Sequence, residues 1–394
     1  MRQKIASPAY QEIIIKIIFF LSYASFSAWL SYYNIFLKKY LGFSDSQVGI
    51  ISGIQQINIL LVLPLWGIFA DKFGRRRILL ITLFVTLCLF YGFLFQKLFF
   101  SFVVFTFAIT LFYSPLSSLL DTIALDFREQ TGRSSYGNTR LWGSIGWAFS
   151  SLLLGAFLTV KNMWLIFPIA SLFMLAGWLI TNFLYKALAV KKNLAGLKLQ
   201  GFRTLLTRDP RLAVFLIIIL LYGISSAPIQ YYINMYYSEI GASNKQVGYA
   251  YAVQALSELP FFYFGQVIVD RIGAKKLMII TMIVTMLRML SYSFTSDPVL
   301  AIIIGSSHGI CLALFMVAVV NYVHRFIPGE WKATGQSFIY ACYFGGGLAI
   351  GNAWVGYVSQ RISVKSTMAV EAGLTLVLIL ATLVTFRMMK PRAA

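Results

Sequence analysis

The sequence predicts an all-α polytopic membrane protein built as two six-helix bundles, and three observations predict it. Of its 394 residues, 59% are hydrophobic and only 12% are charged, too apolar for a chain folded in water. The apolar residues fall into twelve runs, each long enough to cross a hydrocarbon layer of roughly 30 Å. A phrase following the second run returns after the eighth, so the halves read as structural repeats.

The runs lie at 12–37, 46–70, 77–96, 99–126, 138–160, 163–185, 211–237, 246–269, 276–295, 298–323, 333–358 and 365–387. The first has no short apolar core followed by a small-residue cleavage site, so it is read as retained. It carries Tyr23, Trp29, Tyr32, Tyr33 and Asn34. The outer members fit an interfacial aromatic belt, and Tyr23 is either a cavity residue or a packing one. Gln55, Gln56 and Asn58 in the second run, and Gln230, Tyr231 and Asn234 in the seventh, either line a path or bond neighbouring helices. Gly345–Gly347 and Gly351 in the eleventh fit close helix packing. His324 and Arg325 end the tenth run and read as solvated, whereas Glu371, near the outer end of the twelfth, is expected to snorkel or pair with Lys365. The longest hydrophilic gap divides the chain into bundles at 1–185 and 210–394 around a basic loop at 186–209.

The formal charge of +20 is a topology signal and implies no nucleic acid. Loops on the side of both termini carry 23 Lys and Arg, and the other side carries seven: Lys38, Lys39, Lys97, Lys161, Lys245, Arg361 and Lys365. The positive-inside rule puts both termini in the cytoplasm, with anionic lipid heads a secondary partner. Cys88, Cys311 and Cys342 all fall inside apolar runs and imply neither disulfides nor a zinc site. No Walker loop and no HExxH pattern occurs, so neither an ATPase nor a metalloprotease is expected. No cofactor is expected either.

The repeated phrase is Gly67-Ile-Phe-Ala-Asp71-Lys-Phe-Gly74-Arg75-Arg76-Arg77 in the first half and Gly265-Gln-Val-Ile-Val-Asp270-Arg271-Ile-Gly273-Ala-Lys-Lys276 in the second. With twelve spans and a basic central loop, it resembles the signature loop of the major facilitator superfamily. That resemblance implies gating roles for Gly67, Asp71, Gly74, Arg75, Gly265, Asp270, Arg271 and Gly273.

Asp121 closes one apolar run, and Arg140 and Trp147 open the next. Seven residues separate Arg140 from Trp147, so on a helix they share a face. A guanidinium and an indole there can hold a polar ligand between hydrogen bonds and a flat surface. The run from Arg140 to Trp147 resembles the fifth-span motif of the oligosaccharide:proton symporters, the lactose-permease group, and of the related phenylpropionate and nucleoside permeases. The resemblance implies that Arg140 binds a sugar and Trp147 stacks on its ring. Asp121 lies 19 residues before Arg140, close to the spacing of that group's sugar-binding carboxylate. Asp126 reads as a loop-edge charge.

Three consecutive spans each hold one ionisable group: Glu258, Arg288 and His308. A charge at mid-bilayer costs at least about 2.5–3.5 kcal/mol and faces a partner or a wet cavity. The pattern fits a functional network, with a static buried ion pair as the alternative. The lactose-permease group has Glu, Arg and His at these positions, which implies sugar binding by Glu258, alignment by His308 and proton coupling by Arg288. This chain departs from the group in having Cys311 in place of a carboxylate and Gly305 in place of a lysine. Span seven also has no Asp or Glu before Glu239. The proton carriers left are Glu258, His308 and Asp121, with Glu258 as principal site and His308 as relay. The expectation is a monomeric symporter importing a small polar solute, a sugar first, with Asp121, Arg140, Trp147, Tyr23, Glu258 and His308 around it. A nucleoside or aromatic carboxylate importer and an exporter of the same fold are the alternatives.

Overall fold

Serine side chains start three of the long helices. The computed structural model describes residues 7–134, 136–184, 210–323 and 338–388. The Ser7 hydroxyl accepts from the Tyr10 amide, and Pro8 takes the first helical position. Ser44 and Ser243 each form a capping box with Gln47 and Gln246, which satisfies donors that a helix start leaves bare. The helical rods are α1 (Pro8–Tyr40), α2 (Asp45–Phe73), α3 (Arg75–Phe95), α4 (Phe99–Thr131), α5 (Tyr136–Phe157) and α6 (Val160–Thr181), then α7 (Arg211–Tyr231), α8 (Asn244–Ile272), α9 (Ala274–Phe294), α10 (Pro298–Tyr322), α11 (Phe338–Ile362) and α12 (Val364–Met388). Ten are long and apolar enough to cross a membrane. The other two, α2 and α5, are 29 and 22 residues long and pack along α11 and along α1 and α8. Each expected run overlaps one rod. The central loop at 186–209, with His324 and Arg325, lies outside the described residues. Below, the side on which α1 begins and α12 ends is the terminal side, and its opposite is the far side.

The repeated phrase becomes the same tight corner twice. Gly74 and Gly273 carry φ of +92° and +87°, a conformation that L side chains avoid, and each joins two helices through one residue. The corner delivers Arg75 to the buried start of α3, where it forms an ion pair with Asp126 of α4. Asp126 is therefore an interior residue, only 3% exposed; its sequence neighbours look like a loop edge, but its helix face turns inward. The backbone of Gly67 and Asp71 lies within α2. In the second half Ala274 replaces Arg75, and the tie is polar instead: Gln266 donates to Asp270 (2.9 Å) and meets Asn321 of α10 (3.4 Å). Arg271 is exposed, and Gly265 lies close against Val317. Asp126→Ala, which removes the ion-pair partner of Arg75, is expected to cost about 3–5 kcal/mol and to lower the thermal unfolding midpoint sharply. Asp126→Leu with Arg75→Met recovers much of that loss.

Helix face also overrules depth for the aromatics of α1. Trp29, Tyr32 and Tyr33 are at most 1% exposed and form no interfacial belt. Trp29 packs on Phe90 and Tyr113, and the Tyr33 hydroxyl bonds Thr106 (2.9 Å). Asn58 donates to the Phe107 carbonyl (3.0 Å), a packing bond between α2 and α4. Glu371 does not snorkel. It is fully buried and accepts from the Trp354 indole N–H (2.8 Å), joining α12 to α11, while Lys365 reaches Ser296.

Candidate functional site

In the first half a glycine contact sets the geometry. A Cβ on Gly146 would sit 2.1 Å from the Phe20 carbonyl oxygen, so α5 touches the α1 backbone there. Next to that contact the Arg140 guanidinium lies over the Tyr23 ring, 4.2 Å from its centroid. Gly143 leaves room for both, since a Cβ there would lie 2.8 Å from an Arg140 nitrogen. Cation–π stacking of this kind contributes about 0.5–2 kcal/mol. The charges of Arg140, Asp121 and Glu258 all act on the Tyr23 hydroxyl, as does Tyr340 of α11. One tyrosine is therefore within electrostatic range of ionisable groups from both halves. Trp147, two turns along α5, is half-buried against the core.

The second half repeats the device. A Cβ on Gly309 would lie 2.1 Å from the Ser257 carbonyl oxygen, and the Gly309 amide donates to the Ser257 hydroxyl (3.0 Å). The contact brings the neighbours Glu258 and His308 together: Nε2 lies 3.2 Å from Oε1. His308 Nδ1 lies 3.0 Å from Arg288, whose other terminal nitrogen donates to the Tyr292 hydroxyl (3.2 Å). Arginine has only donors, so Nδ1 must accept and Nε2–H must donate to Glu258. The chain Glu258–His308–Arg288–Tyr292 thus fixes a neutral imidazole tautomer. A second proton on Nδ1 would point at the guanidinium, so charging His308 and keeping the Arg288 bond exclude each other. Gly309→Ala would force α8 and α10 apart and break the Glu258–His308 bond. About 1–3 kcal/mol of stability should be lost, read as a lower unfolding midpoint and as weakened solute flux.

The departures from the lactose-permease pattern have local explanations. At Gly305 a Cβ would lie 3.3 Å from the Tyr292 hydroxyl and 3.4 Å from that of Tyr237, so tyrosines fill the space a lysine would need. Cys311 is 1% exposed and within electrostatic range of Arg288. Arg288 makes no ion pair among the described residues; its partners are a neutral imidazole and a phenol. Of the polar residues weighed as path-lining, Gln230 donates to the Tyr343 hydroxyl (3.5 Å). Asn234 donates to the Ser31 carbonyl (3.2 Å).

Sequence reasoning missed the far-side closure. Asn34 donates to the Tyr231 carbonyl (2.6 Å), Asn244 to the Leu158 carbonyl (2.8 Å) and Asn352 to the Ser52 carbonyl (3.5 Å). Each bond joins the two halves. The helices cross at two glycine pairs, Gly49–Gly356 and Gly155–Gly248. A second repeated phrase was the available signal: Ser44-x-x-Gln47-Val48-Gly49 and Ser243-x-x-Gln246-Val247-Gly248.

The MFS_1 like family model matches residues 12–370. The chain belongs to that family, within the major facilitator superfamily. It is 25% identical to the maltose permease of Geobacillus stearothermophilus, over 90% of this chain and 89% of that one. It is 27% identical to the sucrose permease of Escherichia coli, over 77% and 76%. The solved nucleoside transporter NupG superimposes with a TM-score of 0.84 at 18% identity, covering 96% of this chain and 99% of its own. This major-facilitator protein is an integral membrane transporter and no enzyme.

Proposed function

We propose that this major-facilitator protein imports a sugar or oligosaccharide together with protons, by alternating access, as a monomer in the cell membrane with both termini cytoplasmic. One observation carries the proposal: Glu258, which heads the His308–Arg288 chain of one half, is within electrostatic range of the Tyr23 that stacks on Arg140 in the other. Arg140 bonds hydroxyls, Trp147 offers a flat face, Asp121 and Glu258 accept, and His308 aligns. Sucrose and maltose permeases among the relatives favour a sugar over other polar solutes. The proton gradient is the energy source, and no cofactor takes part.

In this reading Glu258 takes the proton. Ionised, it accepts from His308 Nε2–H, and His308 in turn holds Arg288. Once protonated, Glu258 still offers a carbonyl oxygen to the imidazole but no negative charge, so the charge-assisted part of that bond, and the charge balance beside Arg288, are lost. Solute and proton thereby share one network, and a rocking of the two bundles carries both across. A second reading, a nucleoside importer, is favoured by the likeness to NupG and by Cys311 in place of a carboxylate. A thermal-shift screen of sugars, nucleosides and aromatic acids separates the two. Flux of any hit follows, in proteoliposomes with and without an inward proton gradient. A disaccharide that raises the midpoint and accumulates only with the gradient supports the proposal. A nucleoside response supports the second reading, and uptake slowed by the gradient indicates an exporter.

A further inference from the structure

Each of the two far-side glycine crossings carries a buried tyrosine hydroxyl. Tyr32 of α1 donates to the carbonyls of Ser151 on α5 (2.8 Å) and Asn244 on α8 (3.3 Å). Tyr232, just past α7, donates to the carbonyls of Asp45 on α2 (3.3 Å) and Asn352 on α11 (3.3 Å). In all four cases the accepting carbonyl belongs to the residue one helical turn before the crossing glycine. Each hydroxyl sits where two glycine side chains would be: a Cβ on Gly155 or Gly248 would lie 2.8 or 2.9 Å from the Tyr32 oxygen, and one on Gly49 or Gly356 2.7 Å from the Tyr232 oxygen. Both tyrosines are 0% exposed.

The arrangement is two-fold symmetric in its chemistry. Each tyrosine bonds one carbonyl in its own half and one in the other, so its second bond exists only while the far side is shut. A carbonyl already used inside a helix has a spare lone pair, so opening leaves the acceptors satisfied. The donor keeps the carbonyl in its own half, so opening gives up only the shared, cross-half part of each hydroxyl's bond. We propose that Tyr32 and Tyr232 are paired latches that hold the far side closed and set how often it opens. This rests on the alternating-access reading above but not on the identity of the solute.

The test uses the full-length protein with its three cysteines replaced by serine. Spin labels go on Lys97→Cys and Ser366→Cys, exposed far-side positions in opposite halves. Tyr→Phe keeps the ring and removes only the hydroxyl. Each of Tyr32→Phe and Tyr232→Phe is expected to raise the open-to-closed ratio roughly twofold, and the double variant about fourfold, read as a longer-distance population. Tyr236→Phe is the control. Its hydroxyl is just as buried and also donates to two carbonyls, Tyr292 and Thr295 (3.0 Å each), but both lie in its own half. An unchanged distance distribution in the folded double variant overturns the proposal, as does a shift in Tyr236→Phe as large as theirs. Solute exchange measured on the same variants separates the two ideas, since intact flux with no shift removes the latch and leaves the transport reading standing.

Discussion

Glu258→Gln is expected to uncouple solute movement from the proton gradient while sparing exchange. A glutamine carbonyl still accepts from His308 Nε2–H, so the 3.2 Å contact and the Arg288 bond behind it survive. What vanishes is the ability to change charge. With one proton per solute, a gradient of one pH unit sustains about tenfold accumulation. In the variant that figure is expected to fall to about one, with counterflow retained. Equal loss of accumulation and counterflow would make Glu258 a binding group alone.

Arg140→Lys carries the second large effect. The guanidinium is planar, forks its hydrogen bonds and stacks on Tyr23 at 4.2 Å; an ammonium keeps the charge but loses fork and stacking. Two lost charge-assisted hydrogen bonds weaken binding by about a hundredfold, seen as a raised dissociation constant in calorimetry with the unfolding midpoint little changed. The charge-conserving replacement matters because Arg140→Ala would also remove the positive charge that acts on Tyr23.

The rods and their corners were legible because lipid imposes simple rules: length and repetition. The ionisable groups of the site were legible for the same reason, since Glu258, Arg288 and His308 stand out in apolar runs. Helix rotation was not. It decided that Asp126 faces Arg75 inside the protein, that Trp29 and Tyr33 pack in the bundle rather than at an interface, and that Glu371 meets Trp354. Nor does residue type reveal who bonds whom, as Asn58 shows: its amide serves packing, whereas Asn34 and Asn352 tie the halves together. The closure on the far side depends on glycines whose role appears only when a second helix arrives, although the repeated Gln-Val-Gly phrase marked two of them.

Proton movement tied to solute movement tests the central claim most directly. Proteoliposomes with lightly buffered surroundings are given the disaccharide found by the screen, and external pH is followed. Inward symport through the Glu258–His308–Arg288 chain predicts alkalinisation outside that starts with solute entry and is absent in Glu258→Gln. Solute entry with no pH change, or the same change in the variant, would contradict it.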